Sequence, residues 1–226
     1  MGSKEIDFRK FAKISTMRYG SLLLLLILLG CGQGKKYHKE GKAFPDSALL
    51  SDILRFQQEM DESFRDPESS PLPDRFRKDF DGLDYFGPDT TYVVKAFLER
   101  TPEAIPFYMP STTDTKTLEV VYGIAHFTLN GSEHSLEVYQ GLELMKEEGF
   151  EDYLFLPFLD NTNGEQTYGG GRYIDLTIPQ GDTLVIDFNK AYNPYCVYNK
   201  KYSCPLVPRQ NYLRTEVRAG VKDFKP

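Results

Sequence analysis

The 226-residue sequence has no tryptophan, only three histidines and only three cysteines. With so few histidines, neither a serine–histidine–aspartate site nor a histidine-rich metal site is expected, and we predict no metal and no cofactor. The formal net charge of −6 argues against a surface that binds nucleic acid. Aromatic residues make up 14% of the chain, which is typical of a folded, β-rich protein.

The sequence also lacks an apolar run long enough to cross a membrane. Leu22 to Leu29 is a run of eight apolar residues, whereas a spanning helix needs about 20. Basic residues precede this run and a cysteine follows it, so the segment resembles a bacterial lipoprotein signal peptide with Leu28-Leu29-Gly30-Cys31 as its lipobox. The resemblance implies cleavage before Cys31 and lipidation of its thiol.

These features divide the chain into three parts. Residues 1–30 are predicted to be the signal peptide, with either Met1 or Met17 as its start. Residues 31–45 are predicted to be the lipidated cysteine and a polar tether, and residues 46–226 a single β-rich domain. We therefore expect a protein anchored through Cys31 to a membrane of the bacterial cell envelope, with its domain outside the cytoplasm.

The predicted domain begins with a helical pattern and continues with strand patterns. Apolar residues from Leu49 to Phe64 recur at spacings of three and four, which predicts a helix from Asp46 or Ser47 to just before Pro67. The runs that follow are rich in β-branched and aromatic residues and predict a mainly β fold, either an antiparallel sandwich or a partly open barrel with one N-terminal helix. The predicted strands are 92–94, 118–122, 124–129, 136–139, 153–158, 173–178, 184–188 and 212–217.

The clearest turn signal is Asn130-Gly131. We expect Phe127 to pair with Leu136 across this turn, because that register places the apolar side chains on one face. His126 then points to the opposite face, so that His126 and His134 diverge and do not share a metal.

Cys196 and Cys204 are separated by seven residues and are candidates for a disulfide in an oxidising compartment. Closing so short a loop would stabilise the fold by about 2.5 kcal/mol in the chain-entropy model. Two buried free thiols and a redox pair are the alternatives. The spacing differs from Cys-x-x-Cys, and no histidine lies nearby to complete a zinc site.

A glycine-rich segment provides the first candidate site residues, Tyr168, Gly170 and Arg172. Consecutive glycines allow main-chain N–H groups to bind an anion, and Arg172 could add a bidentate contact to a carboxylate or phosphate. The alternative is an ordinary loop between strands with Arg172 in a salt bridge. Asp160 and Glu165 in the same region, with Asp187, are candidate general acids or bases.

A second polar segment provides Asp187, Asn189 and Asn193, and Asn211 follows it. These side chains could converge as anchors in a tyrosine-lined pocket, or they could satisfy main-chain groups of irregular loops. Our leading hypothesis is a lipoprotein that binds a small anionic or polar ligand through these residues and the glycine-rich segment. A hydrolase-like enzyme and a structural or assembly lipoprotein are the alternatives.

Five phrases of the sequence resemble one bacterial family, the domain of unknown function 1684. The phrases are FDGLDYF (80–86), FLPFLD (155–160), TYGGGRY (167–173), DFNKAYNPYC (187–196) and SCPLVP (203–208). The resemblance extends from about Ser47 to Phe224 and implies that segments 168–172 and 187–204 are signatures of the family. It implies no activity, substrate or cofactor.

Overall fold

A helix of 20 residues, α1 (Asp46–Arg65), opens the part of the chain that the computed structural model describes, which is residues 46–225. The helix ends just before Pro67, as predicted, because a residue that precedes proline disfavours the helical conformation. Its buried residues include Phe64, whose ring meets the ring of Tyr198 edge-on at 4.7 Å between centroids. The predicted apolar face therefore packs α1 against the rest of the domain.

Seven strands and a short helix, α2 (Asp74–Arg77), follow α1. The strands are β1 (Val93–Arg100), β2 (Phe107–Pro110), β3 (Lys116–Leu129), β4 (Ser132–Gly141), β5 (Tyr153–Phe158), β6 (Arg172–Thr177) and β7 (Thr183–Asp187). They form one antiparallel sheet in the order β6–β5–β4–β3–β1–β7, with β2 paired to β3. The sheet is open and strongly curled into a half-barrel, which confirms the predicted mainly β fold with one main helix near the N-terminus.

Period-two alternation gives the sheet two different faces. One face carries the main apolar core, formed by Val94, Ala96, Leu98, Ala125, Phe127, Leu129, Leu136, Val138, Leu154, Leu156, Phe158, Ile174, Leu184 and Ile186. The alternate positions of β4, β5 and β6 carry Tyr139, Tyr153, Phe155, Tyr173 and Asp175. We call this second surface the tyrosine face.

The β3–β4 hairpin has the predicted turn but a different register. Asn130 and Gly131 have φ values of 52° and 76°, as a two-residue type I′ turn requires. This tight turn pairs Phe127 with His134, so the expected pairing of Phe127 with Leu136, which needs a longer loop, is wrong by two residues. An even shift keeps each side chain on its face.

Three further differences from the prediction concern the strands. Predicted strands 118–122 and 124–129 form the single strand β3, which has an irregularity between Val121 and Gly123. Strand β2 was not predicted, because four residues that end in a proline give a weak strand signal. Residues 212–217 form no named strand, and Tyr212 makes one isolated bridge with Leu159.

The predicted signal peptide, Cys31 and the tether lie outside the described residues. Among residues 46–225, no helix is both long enough and apolar enough to cross a membrane.

Candidate functional site

Arg172, the first residue of β6, is completely buried. Its Nη2 donates to Asp160 Oδ2 at 2.8 Å, and neither side chain has any exposed surface. The same guanidinium donates to the main-chain carbonyls of Val217, Ala219 and Val221. Burial lowers the pKa of the Arg172 guanidinium, and the Asp160 carboxylate opposes this shift. The guanidinium is thus a cation paired inside the protein.

Asp160 is held by donors on all sides. Its Oδ1 accepts hydrogen bonds from the main-chain N–H and the hydroxyl of Thr162 and from the N–H of Val217. Solvent does not reach this carboxylate, whereas Glu165 is exposed and Asp187 is half-buried. The three candidate acid–base residues therefore lie in three different environments.

Asn193 and Arg172 bind neighbouring main-chain carbonyls near the C-terminus of the chain. Asn193 Nδ2 donates to the carbonyl of Lys222 at 2.8 Å, immediately after the carbonyls that Arg172 binds. We call residues 217–222 the C-terminal segment. The two sequence motifs thus converge, and what lies between them is this segment of the chain itself.

The remaining polar anchors also contact main-chain groups. Asn211 accepts from the N–H of Glu137 and donates to the carbonyls of Glu137 and Pro157. Asn189 exchanges two hydrogen bonds with the main chain of Asp89 and donates to Asp187.

These contacts agree with the alternative in which asparagine side chains satisfy irregular loops. Burial raises the pKa of the Asp187 carboxyl, although its contacts with Asn189 partly offset the effect. A ligand-binding role for these residues stays a prediction.

The glycine-rich segment is tightly packed. Tyr168 is half-buried and folds back over Gly170, so that a Cβ at position 170 would lie 2.5 Å from the Tyr168 ring. Gly171 has a φ of +92°, and a Cβ there would lie 2.6 Å from the carbonyl oxygen of Phe158. Glycine at position 171 is therefore required both for the backbone conformation and for the close approach of β5.

Cys196 and Cys204 are adjacent but carry free thiols. The main-chain N–H of Cys196 donates to Cys204 Sγ at 3.0 Å. A disulfide between them stays a prediction.

The structure also brings together residues that the sequence analysis did not single out, around Asp175 on the tyrosine face. The hydroxyls of Tyr153 and Tyr192 both donate to Asp175 Oδ1, at 2.7 and 2.6 Å. Tyr192 reaches the site because its main chain pairs with Tyr173, which extends the sheet beyond the edge of β6. Asp175 is exposed, and no described residue donates to its Oδ2.

The groups packed around Asp175 shift the pKa values of Asp175, Tyr153 and Tyr192. Loss of surrounding water raises the pKa of the Asp175 carboxyl, and the two tyrosine hydroxyls partly offset that effect. Burial, followed by the negative charge of Asp175, raises the pKa of Tyr153 and Tyr192 well above the ordinary tyrosine value. Both hydroxyls therefore stay protonated and keep donating at neutral pH.

Glu119 adds a second carboxylate near this site. It pairs with Gly141 across β3 and β4, and a Cβ at Gly141 would lie 3.3 Å from Glu119 Oε1. Because Gly141 has no side chain, the Glu119 carboxylate fits beside it. Burial raises the pKa of Glu119, and the charge of Glu119 contributes to the raised pKa of Tyr153.

Among the described residues, neither a metal-binding cluster nor the surface depression at the β3–β4 hairpin includes the residues around Asp175. Within residues 46–225, no group of three or more histidine, cysteine or acidic side chains could hold a metal ion. A depression of about 410 Å³ at the β3–β4 hairpin is lined by residues 126–128 and 133–135 and contains none of the residues around Asp175. Asp175 is thus an exposed carboxylate between two half-buried tyrosines, outside this depression.

Comparisons with known proteins agree with this fold. The family model described as "Protein of unknown function (DUF1684)" matches residues 78–222. The solution NMR structure of the uncharacterized protein from gene locus rrnAC0354 of Haloarcula marismortui is similar, with a TM-score of 0.61 and 33% identity, over 78% of this chain and 95% of that chain. A search of the curated proteins finds no match. The matched residues include the Arg172–Asp160 pair and the surroundings of Asp175.

Proposed function

We propose, on the premise that this chain belongs to the DUF1684 family of proteins of unknown function, that it is an envelope lipoprotein whose β domain binds a small polar ligand. The ligand would place a group with several hydrogen-bond donors against Asp175 on the tyrosine face. Anchoring would be through Cys31.

The observation that supports ligand binding is the arrangement of Asp175. Two tyrosine hydroxyls fix Oδ1 at 2.6–2.7 Å, so the carboxylate is oriented before any ligand arrives. Oδ2 has no donor among the described residues. An oriented carboxylate with one open oxygen binds a donor at a smaller entropic cost than a mobile one.

The chemistry of the neighbouring groups favours a cationic or multiply donating ligand. Tyr192 uses its hydroxyl hydrogen on Asp175, so its oxygen can act only as an acceptor toward a ligand. Glu119 adds negative charge, and tyrosine rings attract ammonium and guanidinium groups. Arg172, which would have bound an anion, is already paired with Asp160. Of the two ligand classes expected from the sequence, the polar one is therefore favoured.

The support for a lipid anchor comes from the sequence. The apolar run Leu22–Leu29 is followed at once by a small residue and Cys31, which is the order that a lipoprotein signal peptide requires. A tether of residues 31–45 would then separate the lipid from the domain, which would lie outside the cytoplasm.

Binding is tested by titrating the full chain with ethylammonium, ethylguanidinium, the neutral polyol erythritol and acetate, and by following the tyrosine resonances by NMR. We expect one or both cations to shift the signals of Tyr153 and Tyr192, and Asp175→Asn to weaken that binding at least tenfold. The matched control is Asp114→Asn, which removes an equal charge at an exposed position and should bind as the wild type does. Equal binding of the cations by Asp175→Asn and by the wild type would overturn the proposal. So would the absence of any shift with all three of ethylammonium, ethylguanidinium and erythritol.

A further inference from the structure

Cys196 and Cys204 are held side by side by main-chain contacts. Cys196 lies in the short 3₁₀ turn Tyr195–Val197, and its N–H donates to Cys204 Sγ at 3.0 Å. The N–H of Cys204 donates to Thr112 Oγ1 at 3.1 Å, and its carbonyl accepts from the N–H of Thr112. The position of Cys204 is thus fixed by the loop after β2, which contains Thr112.

The two thiols differ in access and in acidity. Cys196 is half-buried, whereas Cys204 is only 4% exposed. Hydrogen bonds from the Cys204 thiol, the Thr112 hydroxyl and main-chain N–H groups lower the pKa of Cys196 to about 7, against an opposing effect of burial. The bond to Cys196, and then burial, raise the pKa of Cys204. The accessible thiol is therefore the one that carries a thiolate at neutral pH.

The other titratable groups that face this pair do not change the assignment. Tyr168 and Tyr173 are close enough for the two cysteines to affect them, and burial raises the pKa of both. Both phenols therefore remain neutral at neutral pH.

From this geometry we propose that Cys196 and Cys204 are a reversible dithiol–disulfide pair, with Cys196 as the attacking sulfur and Cys204 as the resolving one. The oxidant would be a small-molecule disulfide. The exchange does not require ligand binding at Asp175.

The exchange proceeds in two balanced steps. The Cys196 thiolate attacks one sulfur of the external disulfide, a mixed disulfide forms on Cys196, and one thiolate leaves. Cys204 then gives its proton to solvent or to the departing thiolate and attacks Cys196 Sγ, and the second external thiolate leaves. Two cysteine thiols are oxidised to one disulfide while the external disulfide is reduced to two thiols.

Closure of the pair would affect the tyrosine face. The loop between the cysteines contains Tyr202, whose ring lies 5.4 Å from that of Tyr195. Pro205, next to Cys204, accepts the hydroxyl of Tyr173. A disulfide would thus fix Cys204 and its neighbour Pro205, whose carbonyl binds the Tyr173 hydroxyl on the tyrosine face.

The test treats the reduced, folded full chain with oxidised glutathione at pH 7 and maps the products by peptide mass analysis, which separates Cys31 from this pair. We expect the wild type to form a Cys196–Cys204 disulfide that reduced dithiothreitol opens again without denaturant. Cys204→Ser should stop at a glutathione adduct on Cys196, and Cys196→Ser should react at least tenfold more slowly at Cys204.

A second measurement does not depend on a variant that folds. Iodoacetamide should modify Cys196 of the reduced wild type before Cys204, with half of the maximal rate near pH 7 rather than above pH 8. Faster labelling of Cys204, absence of the adduct in folded Cys204→Ser, or a disulfide that opens only after unfolding would each overturn the proposal.

Discussion

Arg172 Nη2 and Asp160 Oδ2 lie 2.8 Å apart with both side chains fully buried. Asp160 follows shortly after β5 and Arg172 begins β6, so the pair joins the two strands where the long connection between them leaves the sheet. The additional bonds from Arg172 to Val217, Ala219 and Val221 attach the C-terminal segment to the same point. One ion pair therefore connects three parts of the chain.

Removing one partner of this pair should strongly destabilise the fold. In Arg172→Ala, Asp160 becomes a buried charge without its cation and three carbonyls lose a donor, so we expect a loss of about 3–5 kcal/mol in the free energy of unfolding. Urea denaturation measures this change. The control is Arg218→Ala, which breaks an exposed ion pair with Glu216 and should cost at most about 1 kcal/mol. A stable Arg172→Ala that has lost ligand binding would instead restore Arg172 as an anion-binding residue.

Gly220 and Gly164 have similar φ angles but different surroundings, so together they test how tightly the C-terminal segment is packed. Both have positive φ, +78° and +84°, but a Cβ at Gly220 would lie 2.6 Å from the carbonyl oxygen of Ala191, whereas one at Gly164 meets nothing within 4 Å. Gly164→Ala should lower the free energy of unfolding only by the backbone strain of a positive φ, about 1–2 kcal/mol. Gly220→Ala should lower the free energy of unfolding by clearly more than this, because the C-terminal segment must move to make room for the new Cβ. Equal urea midpoints for the two variants would mean that the segment is not tightly packed.

Ligand binding at Asp175 should depend on pH. The pKa of its carboxyl is raised above 3.8, so acidification neutralises Asp175 earlier than an ordinary aspartate, and affinity for ethylammonium should fall as the pH drops through that raised value. NMR titrations at several pH values measure this change. Constant affinity from neutral pH down to pH 3.8 would contradict a role for the ionised carboxylate.

The same raised pKa makes a prediction about stability. The folded protein holds a proton on Asp175 more tightly than the unfolded chain does, so this group's contribution to stability falls as the pH rises from about 3.8 through the raised pKa. Glu119 and Asp187 behave in the same direction. The difference between wild type and Asp175→Asn, measured by urea denaturation at each pH, isolates Asp175. A difference that does not change with pH in this range would rule out the shift.

Lipidation should require Cys31. In a bacterial host, a labelled fatty acid should be incorporated into the wild type and into a variant whose translation starts at Met17, and both should give the same mature product. Cys31→Ala should incorporate none. Equal labelling of Cys31→Ala would remove the proposed anchor.

The general fold could be predicted from the sequence because its signals are local. The apolar spacing up to Phe64 and the proline at position 67 indicated α1, and Asn130-Gly131 indicated the hairpin. The hairpin register could not be predicted as easily, because it depends on whether the turn has two residues or more. The open half-barrel depends on sheet curvature, which no short segment encodes.

The site was harder to predict for a different reason. Asp175 lies within a strand of ordinary pattern, and its partners come from β5 and from the residue that pairs beyond β6. Only the strand order brings Tyr153 and Tyr192 to one carboxylate. For Arg172, the sequence indicated both an anion site and a salt bridge, and burial by a distant segment decides which contacts it makes.

Because Arg172 binds the C-terminal segment, its contacts depend on a part of the chain that is synthesised late. Until residues 217–221 have left the ribosome, Arg172 lacks three of its acceptors and Asp160 lacks the N–H of Val217. The core also lacks Val217 and Ala219. Arg172 and Asp160 can therefore complete their contacts, and the core can gain its last members, only after nearly the whole domain has been translated.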